Sequence, residues 1–375
     1  MRTIKKLAII GASYLQLPLV EKAKEMGLET HCFAWEKGAV CKEIADFFYP
    51  VSIIEKEQIL QKCEEIGING ICTIASDVAA PTVAYAAENM GLVGNSYESA
   101  VKANNKYLMR NAFISAGVPC PQYKMIKSVD EVRGFSGAFP LIVKPTDRSG
   151  SLGVSRVLNQ QELESAVEKA LDFSFKKEVM VEEFVEGREI SVEFISYQGV
   201  HYPLQITDKV TTGAPHFVEL EHHQPANLPE KMFSSIYDLT RKALDALGIT
   251  NGASHSEYRI TKDGRVVVME IGARMGGDFI GSDLVQLSTG YDFLKGVIDV
   301  ALGLFDAPKI KKHSYSGIYF LCKETESILS VIKNATDFPE IVRAEVTDSV
   351  LRSINCSEDR SGYLIYKTNN KRFLI

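Results

Sequence analysis

Residues 255–277 read HSEYRITKDGRVVVMEIGARMGG, and this stretch decides the fold. Two alternating apolar and polar runs flank Asp263-Gly264, a dipeptide that signals a two-residue hairpin turn. With the turn there, Lys262 faces Arg265, and counting outward in step brings Glu257 directly opposite Glu270 on one face. Like charges in that relation are destabilising unless a positive group lies between them. A divalent cation is the obvious candidate, because magnesium takes one or two carboxylates and shares its other positions with phosphates and water. Two solvated acids at the end of an exposed hairpin are the plainer alternative. The run Ile271-Gly272-Ala273-Arg274-Met275-Gly276-Gly277 follows at once. Its glycines allow close backbone approach to a ligand, and the planar fork of Arg274 suits a carboxylate or phosphate.

Upstream, GAFPLIVKPTDRSGSLGV (137–154) sets Lys144 at the end of an apolar strand and follows it with a Ser/Gly-rich loop. Such a loop exposes backbone N–H groups to phosphate, and the ammonium adds a point charge. It is not a Walker A sequence, so the P-loop fold is not implied. In EVMVEEFVEGREISVEF (178–194), Ile190, Val192 and Phe194 fall on one face of a strand and Glu189, Ser191 and Glu193 on the other. The segment PEKMFSSIYDLTRKALDALG (229–248) is the clearest helix, with Pro229 near its first turn and Gly248 as its stop signal.

Before residue 100, short apolar strands alternate with helical patterns: LAIIGAS, LPLVEKAKEMG, THCFAW, KEQILQKCEEIG and GICTIASD. This alternation predicts a parallel sheet built from βαβ units, with Gly11, Ser13 and Asp77 beyond the strand ends where ligands of open α/β sheets sit. Gly11 is not followed by the rest of GxGxxG, so a tight turn is favoured over a dinucleotide site. The texture changes after Val101 to a helix over NNKYLMRNAFISAG and then strands with long polar loops, and alternation returns after Leu304.

Bulk properties narrow the class. A chain of 375 residues exceeds one usual domain. No window supplies the roughly 18 apolar residues of a membrane span, and the apolar run after MRTIKK is short, lacks a cleavage pattern and reads as a buried strand. Seven scattered cysteines without a CxxC pair fit a reduced cytoplasm. A net charge of −6 without a basic block disfavours a nucleic-acid partner.

Taken in order, these segments resemble the ATP-grasp superfamily, in particular its carboxylate-amine ligases such as the L-amino acid ligases. They are also similar to the ATP-grasp domains of the carbamoyl-phosphate synthase large chain and of biotin carboxylase. The resemblance implies mixed α/β and α+β architecture: a Rossmann-like domain over 1–100, an ATP-grasp domain over 101–305 and a small strand-rich C-terminal part over 306–375. It implies ATP and Mg2+ as cofactors, with Mn2+ as an alternative ion. Small-molecule carboxylate and amine are the implied partners, and ATP-grasp relatives are often homodimers. The implied reaction is ADP-forming ligation through an acyl phosphate. A bicarbonate-activating carboxylase and a non-catalytic ATP-binding regulatory protein stand as alternatives.

Residue by residue, the resemblance implies that Lys106 and Lys144 contact the ATP phosphates beneath the loop Ser149-Gly150-Ser151-Leu152-Gly153. Glu182 would accept from the adenine amino group, backbone at Glu183 and Val185 would line the base, and Glu189 would hold the ribose. Glu257 and Glu270 match metal carboxylates. Arg274, followed by Gly276 and Gly277, matches the residue that steadies the acyl phosphate or the substrate carboxylate. Where many members read Glu-Ile-Asn, this chain has Glu270-Ile271-Gly272 and lacks the Asn ligand. The segment ITDKVTTGAPHFVELEHHQPANLP (206–229) resembles the loop near the acceptor, making His216, Glu219 and His222 candidates to orient the amine; His255 is equally ambiguous.

Overall fold

The computed structural model describes residues 4–148, 152–214, 216–310 and 314–375. In its first part β1 (Lys6–Ile10), α1 (Leu17–Glu25), β2 (Glu29–Phe33), β3 (Phe47–Tyr49), α2 (Lys56–Ile66), β4 (Gly70–Cys72) and α3 (Ala80–Asn89) alternate. The strands pair in parallel in the order β3-β2-β1-β4. Leu7 and Ile9 of β1 join a buried cluster with Leu19, Val20 and Ala23 of α1, while Ala8 and Ile10 join another with Ile59 and Cys63 of α2. A strand covered on both faces reads as a continuous apolar run, which is why LAII lacks polar alternation. The strand in GICTIASD is shorter than its sequence suggests. After Cys72 the chain leaves the sheet, and Ile74 pairs with Met275 in an isolated parallel bridge that brings Asp77 beside Arg274.

Next come α4 (Tyr97–Asn104) and α5 (Lys106–Ser115). The single helix expected over 104–117 begins only at Lys106, because the Asn105 side chain accepts from the Leu108 N–H and caps it. Then β5 (Tyr123–Ile126), β6 (Leu141–Pro145), β7 (Ser155–Val157), α6 (Gln160–Phe173) and β8 (Val179–Glu183) make a small antiparallel sheet in the order β5-β8-β6-β7. Helix α6 covers it, burying Leu163, Val167 and Ala170 with Val143 and Val181.

The large sheet takes the rest: β9 (Arg188–Tyr197), β10 (Val200–Thr211), β11 (Glu219–Gln224), α7 (Glu230–Leu247), β12 (Gly252–Ile260), β13 (Val266–Gly272), α8 (Val285–Thr289), α9 (Phe293–Ala301), β14 (Tyr315–Leu321), α10 (Ile328–Lys333), β15 (Ile341–Val346) and β16 (Gly362–Thr368). Its eight strands run β13-β12-β9-β10-β11-β14-β16-β15, so the C-terminal strands extend the same sheet. Half of the stretch 206–229, expected as a loop, lies in β10 and β11, which pair antiparallel. Helix α7 buries Ile236, Leu244 and Leu247, each contributing about 1.5–3 kcal/mol of apolar burial. Phe293, Val297 and Ile298 of α9 pack with the α1 side of β1 and with Ile195 and Ala253 of the large sheet. One core therefore fixes the N-terminal sheet against the large one. Among the described residues no helix is long and apolar enough to cross a membrane.

Candidate active site

A cavity of about 240 Å³ opens between the small sheet and the large one. Lys144 comes to it from β6, Glu189 from β9, Lys209 from β10, Glu219 from β11, Glu257 from β12 and Glu270 from β13. Asp77, Lys106 and Arg274 also line it.

Glu257 does face Glu270 across β12 and β13, but not for the reason the turn suggested. Thr261 N–H donates to Arg265 O at 3.0 Å and Gly264 N–H to Thr261 O at 2.9 Å, so Lys262, Asp263 and Gly264 form a three-residue connection with Gly264 at φ +84°. The strands leave it with Ile260 opposite Val266, one residue out of the expected register. A bulge then places Tyr258 opposite Val268 and Glu257 opposite Glu270, making Met269 the extra residue. The bulge restores the pairing that the assumed turn would have given.

The repulsion expected between the two acids is relieved by lysines. Lys209 Nζ lies 2.6 Å from Glu257, 3.2 Å from Glu219 and 3.3 Å from Glu189, while Lys106 Nζ lies 2.7 Å from Glu270. Burial opposes charge on Lys209, but Glu257, Glu219 and Glu189 outweigh it and hold the ammonium well above the ordinary lysine range. Burial likewise opposes charge on Glu257, and Lys209 with His255 holds that carboxyl well below its usual range. The sequence alone gives little sign of Lys209: its one signal is alternation with Thr207 and Thr211 on a polar face, in a segment that resembles a loop.

Lys144 is buried at the cavity wall, 2.5 Å from Glu182. The other Glu182 oxygen takes Arg110 Nε at 2.8 Å, and Arg110, wholly buried, also donates to Met269 O at 2.6 Å. Burial would raise the Glu182 carboxyl, but Arg110 and Lys144 outweigh it and keep it below its usual range. The side chain expected to accept from adenine is thus committed inside the protein and does not line the cavity. Glu183 does not line it either: its N–H donates to Gln122 O at 2.8 Å. Phe184 and Val185 do line it. Glu189 also lines it and is held by Arg259 at 2.7 Å.

Arg274 lies 2.7 Å from Asp77, and its Nε, buried, has no partner among the described residues. Burial would raise the Asp77 carboxyl, yet Arg274 and then Lys106 more than offset this and hold it below its usual range. Gly272 sits beneath: a Cβ there would overlap Asp77 Oδ1, so the Asn common in the resembling family does not fit beside this aspartate.

The remaining candidates separate. Ser149, Gly150 and Ser151 lie outside the described residues. Gly153, at φ +77°, packs on Pro145 and Phe173, and its neighbours Leu152 and Val154 line the cavity. Glu219 lines it, but His216 lines an adjoining cleft of about 660 Å³. His222 does not line it: its ring is wholly buried edge-on to Phe320, and burial, then Lys209, pushes it well below the ordinary histidine range. Gly276 packs against Glu193 and His255 and Gly277 against Ala75, so both support the Arg274 segment from behind. Gly11 and Ser13 line a separate crevice of about 250 Å³ with Ala75 and Ser76.

A divalent ion fits this donor set. Glu257 and Glu270 are hard oxygen donors on one face of the cavity. Each uses only Oε1 toward its lysine, leaving Oε2 without a partner among the described residues. Glu189, Glu219 and Glu257 bring carboxylate oxygens within 4.8 Å of one another as well, but there the Lys209 ammonium already occupies the centre.

Residues 137–283 match the ATP-grasp domain family. The chain is 29% identical over 290 residues to alanine–anticapsin ligase of Bacillus subtilis, spanning 66% of this chain and 61% of that relative. The L-amino acid ligase from Bacillus licheniformis superposes with a TM-score of 0.81 at 25% identity, covering 99% of this chain and 95% of that one. The biotin carboxylase domain of Hydrogenobacter thermophilus 2-oxoglutarate carboxylase, whose structure holds MgADP and bicarbonate, shares the fold with a TM-score of 0.76 at 18% identity, covering 98% of this chain and 87% of that one.

Proposed function

Because residues 137–283 match the ATP-grasp domain family, we propose that this chain is an ATP- and Mg2+-dependent carboxylate-amine ligase working in the cavity between the two antiparallel sheets. The division at residues 100 and 305, with the grasp between them, is part of this proposal. The observation that carries it is the meeting of Lys106 and Lys144 with Glu257, Glu270 and Arg274 around one cavity.

In this reading Lys144 and Lys106 bind the triphosphate, and Phe184 and Val185 flank the base beside Glu189. Glu257 and Glu270 would hold Mg2+, which supplies charge neutralisation at the phosphates. A substrate carboxylate oxygen attacks the γ-phosphorus and ADP leaves. The amine then attacks the carbonyl carbon of the acyl phosphate, and inorganic phosphate leaves carrying that oxygen. Arg274 exchanges Asp77 for the substrate carboxylate or acyl phosphate, to which its fork is equally suited. No protein nucleophile is needed, since positioning and electrostatics supply the catalysis of phosphoryl transfer.

Amino acids and small carboxylates, supplied singly and in pairs with ATP and Mg2+, test the reading when ADP is measured and the product weighed by mass spectrometry. ADP formation that requires both a carboxylate and an amine supports it. ADP formation with bicarbonate alone would make the chain a carboxylase, and tight ATP binding without phosphate release under any acceptor would make it a regulatory binder.

A further inference from the structure

We infer that Glu193 is a positioning residue that ties the segment carrying Arg274 to the cavity carboxylate Glu257, acting through His255. The inference rests on Glu257 serving as a metal ligand. Glu193 is wholly buried in β9 and pairs directly with His255 of β12. One of its oxygens bonds His255 Nδ1, and the other accepts the Gly276 N–H at 3.1 Å. The far ring nitrogen, His255 Nε2, stands 3.4 Å from Glu257 Oε1, the same oxygen that takes the Lys209 ammonium. The path is continuous from the backbone two residues beyond Arg274 to the carboxylate that faces Glu270.

Packing alone does not account for an acid here. An apolar residue of similar volume would fill the space without the cost of desolvating a carboxylate. What the carboxylate adds is direction, because it sets which way the imidazole points and where Gly276 sits. Gly276 shows how closely the parts meet: a Cβ there would stand 2.8 Å from His255 Nδ1 and 2.9 Å from Glu193 Oε1. Ligating carboxylates depend on such outer partners, whose loss typically costs about 10- to 100-fold in metal affinity.

The test compares Mn2+ affinity, with and without ADP, and ADP affinity in EDTA, for the wild-type chain, Glu193→Gln and Gly276→Ala. Gly276→Ala keeps the carboxylate and intrudes on it, so it serves even where Glu193→Gln fails to fold. The expected result is about 10- to 100-fold weaker Mn2+ binding in each variant, with metal-free ADP affinity unchanged. Unchanged Mn2+ affinity, or equal losses of Mn2+ and metal-free ADP, would overturn the inference. A wild-type chain that binds no Mn2+ would overturn it together with the metal part of the proposed function. A chain that binds Mn2+ but turns over no ATP would sink only the reaction, and Glu193 would still be decided on the same affinities.

Discussion

Lys209 and Glu257 are joined at 2.6 Å although a whole strand, β9, lies between β10 and β12. The buried ammonium occupies the centre of three carboxylates that a metal would otherwise have to neutralise.

Removing that ammonium exposes the acidity of the site. Lys209→Met should lower unfolding stability in EDTA by about 3 kcal/mol, because it leaves carboxylates in the cavity wall without their cation. Mg2+ or Ca2+ should restore much of the loss in the variant while shifting the wild-type melting temperature far less. Thermal unfolding with and without each ion reads this; a variant indifferent to both ions would contradict the charge argument.

Gly272 explains itself through Asp77. Gly272→Asn should destabilise by about 1–3 kcal/mol, the usual cost of forcing atoms into a filled site. Shortening the neighbour with Asp77→Ser should make the double variant lose less than the sum of the two single changes. Denaturant unfolding of all four proteins gives the coupling, and strict additivity would show that the two positions do not meet.

Acid should reveal Asp77 as well. Its folded carboxyl is held below the unfolded value of about 3.9, so its contribution to stability is present above that pH and fades as pH falls toward the folded value. Asp77→Asn cannot take up that proton. Its stability should therefore fall less steeply than the wild type's below about pH 4, as read by denaturant midpoints across a pH series.

Much of this site was legible from spacing because strands put every second residue on one face. Glu257, Glu270 and Glu189 keep their places in alternating runs and Lys144 stands near a strand end, whereas Lys106 is marked only by the family resemblance, since the helix that begins with it is expected to start at Asn104. Long-range partners were not legible. Glu182 reads as a free acid until Arg110, 72 residues away, closes on it, and His222 reads as a loop histidine until β11 is seen paired with β10 and β14. The register of the hairpin depended on a turn and a bulge whose effects cancel, which no count of residues separates.

Glu270→Gln keeps size and shape while removing the charge that Lys106 meets. The variant should fold with an unchanged far-ultraviolet dichroism spectrum and lose about 100-fold or more of its ADP formation. Undiminished turnover would remove Glu270 from the chemistry.

The most direct measurement follows one oxygen atom. Amino acids labelled with 18O in both carboxylate oxygens are incubated with the wild-type chain, ATP and Mg2+, and the released inorganic phosphate is analysed by mass. Activation as an acyl phosphate transfers one 18O to each phosphate released. Phosphate that stays unlabelled while ligated product accumulates would contradict the mechanism.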